Sequence, residues 1–216
     1  MPASPSDPPV VSVPIDGRGA EREPTIRERA VAATLTCIAR HGLAKLTVDD
    51  VAREAACGRA TLYREFGSKR ALVATVVGLE AERVVAALRD AATAAETLED
   101  AVVAVLVTAA TEVDSHAALR FVAAFEPELL LPYLTFSGAD RFLAWSAAQL
   151  APMFSRFVPP TDTERVAEWV ARVGLVLWCS PTASSTPVVL GDPSSVRPFV
   201  RQFVLPGISP ALPTRG

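Results

Sequence analysis

The chain is poor in residues that carry covalent or metal chemistry. Its three cysteines, Cys37, Cys57 and Cys179, are odd in number, far apart and without a C-x-x-C pair in 216 residues. A disulfide framework and a zinc ribbon are thereby excluded, and buried, reduced thiols in a cytoplasmic protein are expected. Only two histidines are present, His41 and His116, and neither has a His, Cys or acid at ligand spacing. No metal site is therefore expected. The G-x-S-x-G, P-loop and G-x-G-x-x-G patterns are all missing, which argues against an enzyme and against a nucleotide cofactor. No run of about 18 uncharged apolar residues occurs, so no membrane-spanning helix and no membrane partner are expected. The first residues lack the basic start and apolar block of a signal peptide. Glycine thins out after Gly78, and neither a useful β-alternation nor an internal repeat is found.

What remains is helical material. Half of the residues are apolar and alanine is abundant, which predicts an all-α chain of about nine helices. The net charge of −3 is unevenly placed: residues 25–72 hold nine Lys/Arg against five acids, a net +4, which leaves −7 for the rest. A small basic module on an acidic body suits a protein that meets DNA with one end.

The basic module centres on residues 47–72, TVDDVAREAACGRATLYREFGSKRAL. Thr47 precedes a helix with Asp50 at capping-box spacing, Asp standing in for Glu. Val48, Val51, Ala52 and Ala55 share one face of that helix. Ala56, Cys57 and Gly58 interrupt it. A second short helix, Arg59–Phe66, turns Leu62 and Phe66 inward, Gly67 ends it, and Ser68 caps the next. This is the outline of a helix-turn-helix, whose second helix enters a DNA major groove. A helix N-terminus offers free N–H groups and partial positive charge, so Thr47 suits a phosphate, and Lys69 does the same with a full charge added. Tyr63 can donate its hydroxyl to a phosphate; such contacts set register without reading sequence. Arg59, Thr61 and Arg64 take the groove side, where Arg pairs bidentately with guanine and a Thr methyl meets thymine. Ala60 is small enough to let the helix sit deep. A helical hairpin inside a larger α protein would also bury Val51, Leu62 and Phe66, but it would leave Arg59, Tyr63, Arg64 and Lys69 as a merely solvated face.

Residues 25–75 resemble the DNA-binding domain of the TetR family of bacterial repressors. The family pattern T-V-x-D-V-A-x-E-A, a three-residue turn, x-x-T-L-Y-x-x-F, then x-S-K-x-x-L is carried by Thr47, Val48, Asp50, Val51, Ala52, Glu54 and Ala55, by Thr61, Leu62, Tyr63 and Phe66, and by Ser68, Lys69 and Leu72. Further on, FEPELLLP, SPTASS and VLPGI look like actinobacterial members. Three positions depart from the pattern. Ala56 stands where the turn usually has Gly, which implies a turn that is a little strained or differently shaped. Glu65 stands where an aromatic or His is common; phosphate repels it unless it pairs with Arg64 or Arg70 or accepts from a cytosine amino group. Gly67 replaces a frequent Pro. The resemblance implies a homodimer on a palindromic double-stranded operator, a small-molecule effector, and repression as the default.

The rest of the chain is read in that light. Residues 1–24, with six prolines, are expected as a disordered arm and 208–216 as a disordered tail. Between them lie the module, 25–72, and a helical effector-binding and dimerisation domain, 73–207. A first helix spans 25–40 with a Thr25/Glu28 capping box and Ile26, Ala30, Ala33, Leu35, Ile38 and Ala39 as apolar positions. The helix after Ser68 runs toward residue 91, with Leu72, Val76, Val77, Val84, Val85 and Leu88 buried. Helices follow over 98–114, capped by Thr97, and 117–125, capped by Ser115. A turn comes after Pro127, with Glu126 and Glu128 solvated. A helix over 138–157 is kinked at Pro152, and another, opened by a Thr161/Glu164 box, reaches Cys179. A loop over 181–191 leads to a last helix, opened by Asp192 and Pro193 and ending near Leu205.

By resemblance the last two helices form a four-helix dimer interface through Trp169, Val173, Leu177, Phe199 and Phe203, beside Val166, Val170, Val196 and Val200. The effector pocket lies among the fifth to eighth helices, with Phe121, Phe125, Trp145, Gln149, Met153, Leu175 and Trp178 as lining candidates. Their apolar bias points to a small hydrophobic effector. The alternative is a helix-turn-helix protein without a ligand, architectural or partner-dependent.

Overall fold

The computed structural model describes residues 23–129, 136–179 and 188–208. The arm up to residue 22, the tail from 209, positions 130 and 131 of the turn, and the loop over 181–187 lie outside the described residues. Among the described residues every regular element is helical, as expected. In order these are α1 (Ile26–His41), α2 (Val48–Glu54), α3 (Arg59–Phe66), α4 (Lys69–Thr93), α5 (Leu98–Ser115), α6 (Ala117–Phe125), a 3-10 turn (Pro127–Leu129), α7 (Phe136–Phe154), α8 (Thr163–Cys179) and α9 (Pro193–Phe199). The chain continues from α9 through wide π-type turns (Val200–Val204) into Leu205–Ile208. Pro206 has no amide to offer Gln202, and Leu205 instead bonds back five residues, to the Val200 carbonyl.

Local chemistry sets most helix starts. Thr25 and Glu28 form the full capping box of α1. Ser68 accepts from the Ala71 amide at 3.1 Å, Thr97 from Asp100 at 3.1 Å, and Asp192 from Ser194 at 2.8 Å. Each side chain satisfies one orphan donor of its first turn. Two expected caps differ. His116, not Ser115, caps α6, its Nδ1 accepting from the Leu119 amide at 3.0 Å. α8 starts at Thr163, two residues beyond the Thr161 expected to cap it, and the Thr163 hydroxyl donates back to the Pro160 carbonyl at 2.7 Å. At the far end of α4, the Arg156 guanidinium donates to the carbonyls of Ala92, Thr93 and Ala95 and closes that terminus.

Two hydrophobic cores form. The N-terminal core joins Ala30, Ala33, Cys37 and Ile38 of α1 to Leu46, Val51, Ala52, Ala55, Leu62, Leu72 and Val76. It also takes in Ala118 and Val122 of α6, so the module is finished by a helix from the body. The buried stripe of α1 is turned from the expected one: Ile26 is exposed, Leu35 and Ala39 are only half-buried, and Thr34 is fully buried with its hydroxyl donating to the Ala30 carbonyl at 2.7 Å. The second core surrounds α5, whose Ala101, Val102, Val103, Val105, Leu106 and Ala110 are all buried. Against it pack Val85, Leu88 and Ala92 of α4, Leu150, Met153 and Phe154 of α7, Val166 and Val170 of α8, and Val196, Val200 and Val204 from the C-terminal segment. Val77, expected inside, is 60% exposed. Of the cysteines only Cys37 is buried; Cys57 is half-buried and Cys179 exposed. No single described helix is long and apolar enough to cross a membrane, and α5 with α6 reaches that length only across an 80° bend.

Candidate nucleic-acid interface

α2 and α3 meet at a turn that Ala56 makes with φ +51, the only positive φ at a non-glycine residue among the described residues. The turn closes through the Cys57 amide on the Ala52 carbonyl at 3.0 Å. Leu62 anchors α3 inward at 2% exposure. Ala60 and Arg64, two residues before and after it, lie on the opposite side of a 3.6-residue helix, and both are exposed. Arg59 and Tyr63 are also exposed, and Thr61 is half-buried. Of the residues expected to read bases, Arg59 and Arg64 are exposed on this short helix and Thr61 is only partly so.

Two of the three residues expected to contact phosphate lie together. Tyr63, Ser68 and Lys69 line one shallow concavity together with Val48, the first residue of α2. Lys69 opens α4 and is exposed, which puts a full positive charge at the helix end that carries the free amides. Thr47 is exposed and caps α2, accepting from the Asp50 amide at 3.1 Å. The Thr47 backbone N–H also contributes to holding the Asp50 carboxylate, as a capping box with Asp in place of Glu requires, and the Thr47 hydroxyl proton goes to the same carboxylate. That bond, aided by Arg53 at 3.1 Å, holds the Asp50 carboxyl below the usual carboxylate range.

Two acids, Asp49 and Glu65, set the resting arrangement. Asp49 pairs with Arg59 at 2.8 Å, so the first base-reading candidate is steered by the first turn of α2. Glu65 pairs with Arg27 of α1 at 3.5 Å, and neither Arg64 nor Arg70 is its partner. Arg27 also lies 5.6 Å from the Phe66 ring centroid. The departure at Glu65 is thus answered by a contact across the module. Both pairs join two different helices, and helical spacing carries no sign of them.

The other candidates scatter. Phe121 and Phe125 meet with ring centroids 4.8 Å apart and planes tilted by 46°. Phe121 packs toward Gly42 of the module, its ring edge 2.8 Å from where a Cβ there would stand. Phe125 is 71% exposed and Trp145 is 45% exposed. Met153 is buried in the body core, and Gln149, Leu175 and Trp178 are half-buried. Of the dimer candidates, Trp169 and Phe203 are exposed, while Val173, Leu177 and Phe199 are half-buried. Val166, Val170, Val196 and Val200 belong to the chain's own core. Glu126, expected to be solvated, is 7% exposed and accepts from the Leu43 and Ala44 amides at 2.7 and 3.1 Å. Among the described residues no cluster of three His, Cys, Asp or Glu could hold a metal.

Residues 30–76 match the family model described as bacterial regulatory proteins, tetR family. Over most of its length the chain is similar to the HTH-type transcriptional regulator BetI of Agrobacterium fabrum, with 28% identity over 185 residues, 79% of this chain and 83% of that protein. An uncharacterized HTH-type transcriptional regulator of Mycobacterium tuberculosis is 25% identical over 206 residues, 91% of this chain and 92% of its own. Two solved structures share the fold. The TetR family repressor AlkX from a Dietzia strain superposes with a TM-score of 0.60 at 19% identity, covering 85% of this chain and 95% of that one. The multidrug binding protein EbrR gives 0.57 at 20% identity, covering 90% and 100%.

Proposed function

Since the chain belongs to the TetR family of bacterial regulatory proteins and is a DNA-binding transcriptional regulator, we propose that it acts as a cytoplasmic homodimeric repressor, released from a palindromic operator by a small hydrophobic molecule. Its working parts are a DNA-binding module over 25–72 and an effector-binding and dimerisation domain over 73–207, between an arm (1–24) and a tail (208–216). The observation that carries the reading is the outward pair Ala60 and Arg64 on α3, opposite the buried Leu62, with the exposed Arg59 at the helix start and the concavity that Tyr63 and Lys69 share beside them. Thr47, Tyr63 and Lys69 hold phosphates; Arg59, Thr61 and Arg64 meet base edges, with Ala60 allowing close approach. One eight-residue helix touches too few bases, so two copies read two half-sites. The apolar side chains left outside on α8 and the C-terminal segment, Trp169, Val176 and Phe203, supply an isologous contact in which Val173, Leu177 and Phe199 take part.

Phe121, Phe125, Trp145, Gln149, Met153, Leu175 and Trp178 remain the effector candidates. An effector acts only through its differential affinity for the DNA-competent and released states. The likeness to a repressor implicated in biodegradation of n-alkanes and to a multidrug binding protein supports an apolar ligand. Burial of Met153 and Phe154 in the core around α5 favours a second reading, a helix-turn-helix protein that works without a ligand. Native mass spectrometry of the purified protein, followed by titration with acyl-CoAs, steroids and hydrophobic drugs against a bound duplex, separates the two. A dimer that releases DNA with an apolar compound supports the first reading. Release only by a charged, hydrophilic inducer contradicts it, and a dimer that no compound releases supports the second.

A further inference from the structure

α6 is fastened at both ends by side chains. At its start, His116 caps the helix with Nδ1 and turns Nε2 to Glu80 of α4 at 3.2 Å. At its end, the Glu126 carboxylate reaches across to the loop between α1 and α2 and accepts from two successive amides, Leu43 at 2.7 Å and Ala44 at 3.1 Å. Between these ends Ala118 and Val122 sit in the N-terminal core. With Glu126 they form an i, i+4, i+8 stripe, so one face of α6 addresses the module along its whole length.

The loop is shaped to receive the carboxylate. Gly42 has φ +85 and is buried, and a Cβ there would run into the Glu126 carboxylate. Glycine is therefore required twice over, for its backbone angle and for the close approach. A 7% exposed carboxylate needs partners, and two charge-assisted bonds to backbone N–H groups supply them. This polar contact spans more than eighty residues of sequence. It joins the body to the loop directly ahead of Thr47 and α2.

We propose that Glu126 is a positioning residue for DNA recognition: by gripping the Leu43 and Ala44 amides it fixes the angle at which the helix-turn-helix leaves the body, and so the half-site spacing that two copies read. The inference rests on the dimeric regulator reading, but the grip itself can be tested apart from it. Glu126→Gln keeps the shape and one acceptor and turns an N–H donor toward the other amide.

The test joins residue-resolved amide exchange by NMR to selection of bound duplexes from a random pool. In the wild type, Leu43 and Ala44 should exchange at least ten-fold more slowly than an open loop. In Glu126→Gln they should exchange about ten-fold faster, the size of one lost hydrogen bond of about 1.4 kcal/mol, while Val51 and Leu62 stay protected. The variant should accept a broader range of half-site spacings with the base preference within each half-site unchanged. Open-loop exchange at Leu43 and Ala44 in the wild type overturns the proposal without any variant. So does a Glu126→Gln protein whose spacing preference stays as sharp as the wild type's, since the grip would then be structural alone. A wild type that selects no paired half-sites defeats the dimeric reading and with it the spacing role, while the exchange data still decide whether the grip exists.

Discussion

Ala56 occupies the left-handed region that an L-residue enters at a cost of about 1–2 kcal/mol. Glycine there relieves this and gives back about 0.4–1 kcal/mol in unfolded-state entropy, so relief wins. Ala56→Gly should raise the midpoint of thermal unfolding by roughly 1–4 °C, read by circular dichroism; an unchanged or lower midpoint contradicts the strain. This residue was legible in advance, because the family pattern has Gly where the chain has Ala. Lys69 was legible too, as a cation at a helix start. Lys69→Ala should weaken binding to all duplexes alike and flatten the log–log salt dependence by about one, measurable by fluorescence anisotropy at several salt concentrations. The pairs Asp49–Arg59 and Glu65–Arg27 were not legible: each joins two helices, and a sequence pattern sees one helix at a time.

Helix starts were read well where the cap is a hydroxyl or carboxyl one turn ahead, as at Thr25, Thr47, Ser68, Thr97 and Asp192. His116 was missed because an imidazole is an uncommon cap, and Glu126 because its partners lie more than eighty residues away. The C-terminal segment is tied to the start of α5 by charge. Arg197 meets Glu99 at 3.0 Å and Asp100 at 2.7 Å, and Arg201 meets Glu99 at 2.8 Å. Arg201 first, then Arg197, holds the Glu99 carboxyl below its usual value; the Thr97 hydroxyl, then Arg197, does so for Asp100. A carboxyl with a depressed folded pKa stabilises above its unfolded value, near 4, and that stabilisation is lost as pH falls through the folded value. The melting temperature should therefore drop between about pH 5 and pH 3, and Glu99→Gln should lower the melting temperature at neutral pH and shrink the drop. An equal acid drop in the variant would remove Glu99 from the account.

At the scale of the molecule, two cores are strung along α4, which gives Leu72 and Val76 to one and Val85, Leu88 and Ala92 to the other. α6 finishes the N-terminal core with Ala118 and Val122, so residue 72 ends the module's sequence pattern without ending its packing. No local pattern could reveal this, since Ala118 and Val122 read simply as apolar positions of a short helix. The proposed dimer belongs to this scale as well. Phe203 is 57% exposed and stacks on Phe199 at 5.4 Å, so Phe203→Asp should leave the fold intact and raise the dimer dissociation constant by about 30-fold or more, as loss of a 2 kcal/mol hot spot would. Sedimentation velocity across a concentration series checks it; an unshifted dimer places the interface elsewhere. The central claim, that α3 reads DNA for a two-fold protein, is tested most directly by selecting duplexes from a random pool with the wild type and with Arg64→Ala. The account predicts an inverted pair of half-sites for the wild type and loss of preference at one base position in each half-site for the variant. A pool that never enriches, or an Arg64→Ala protein that loses affinity equally on every sequence, would contradict it.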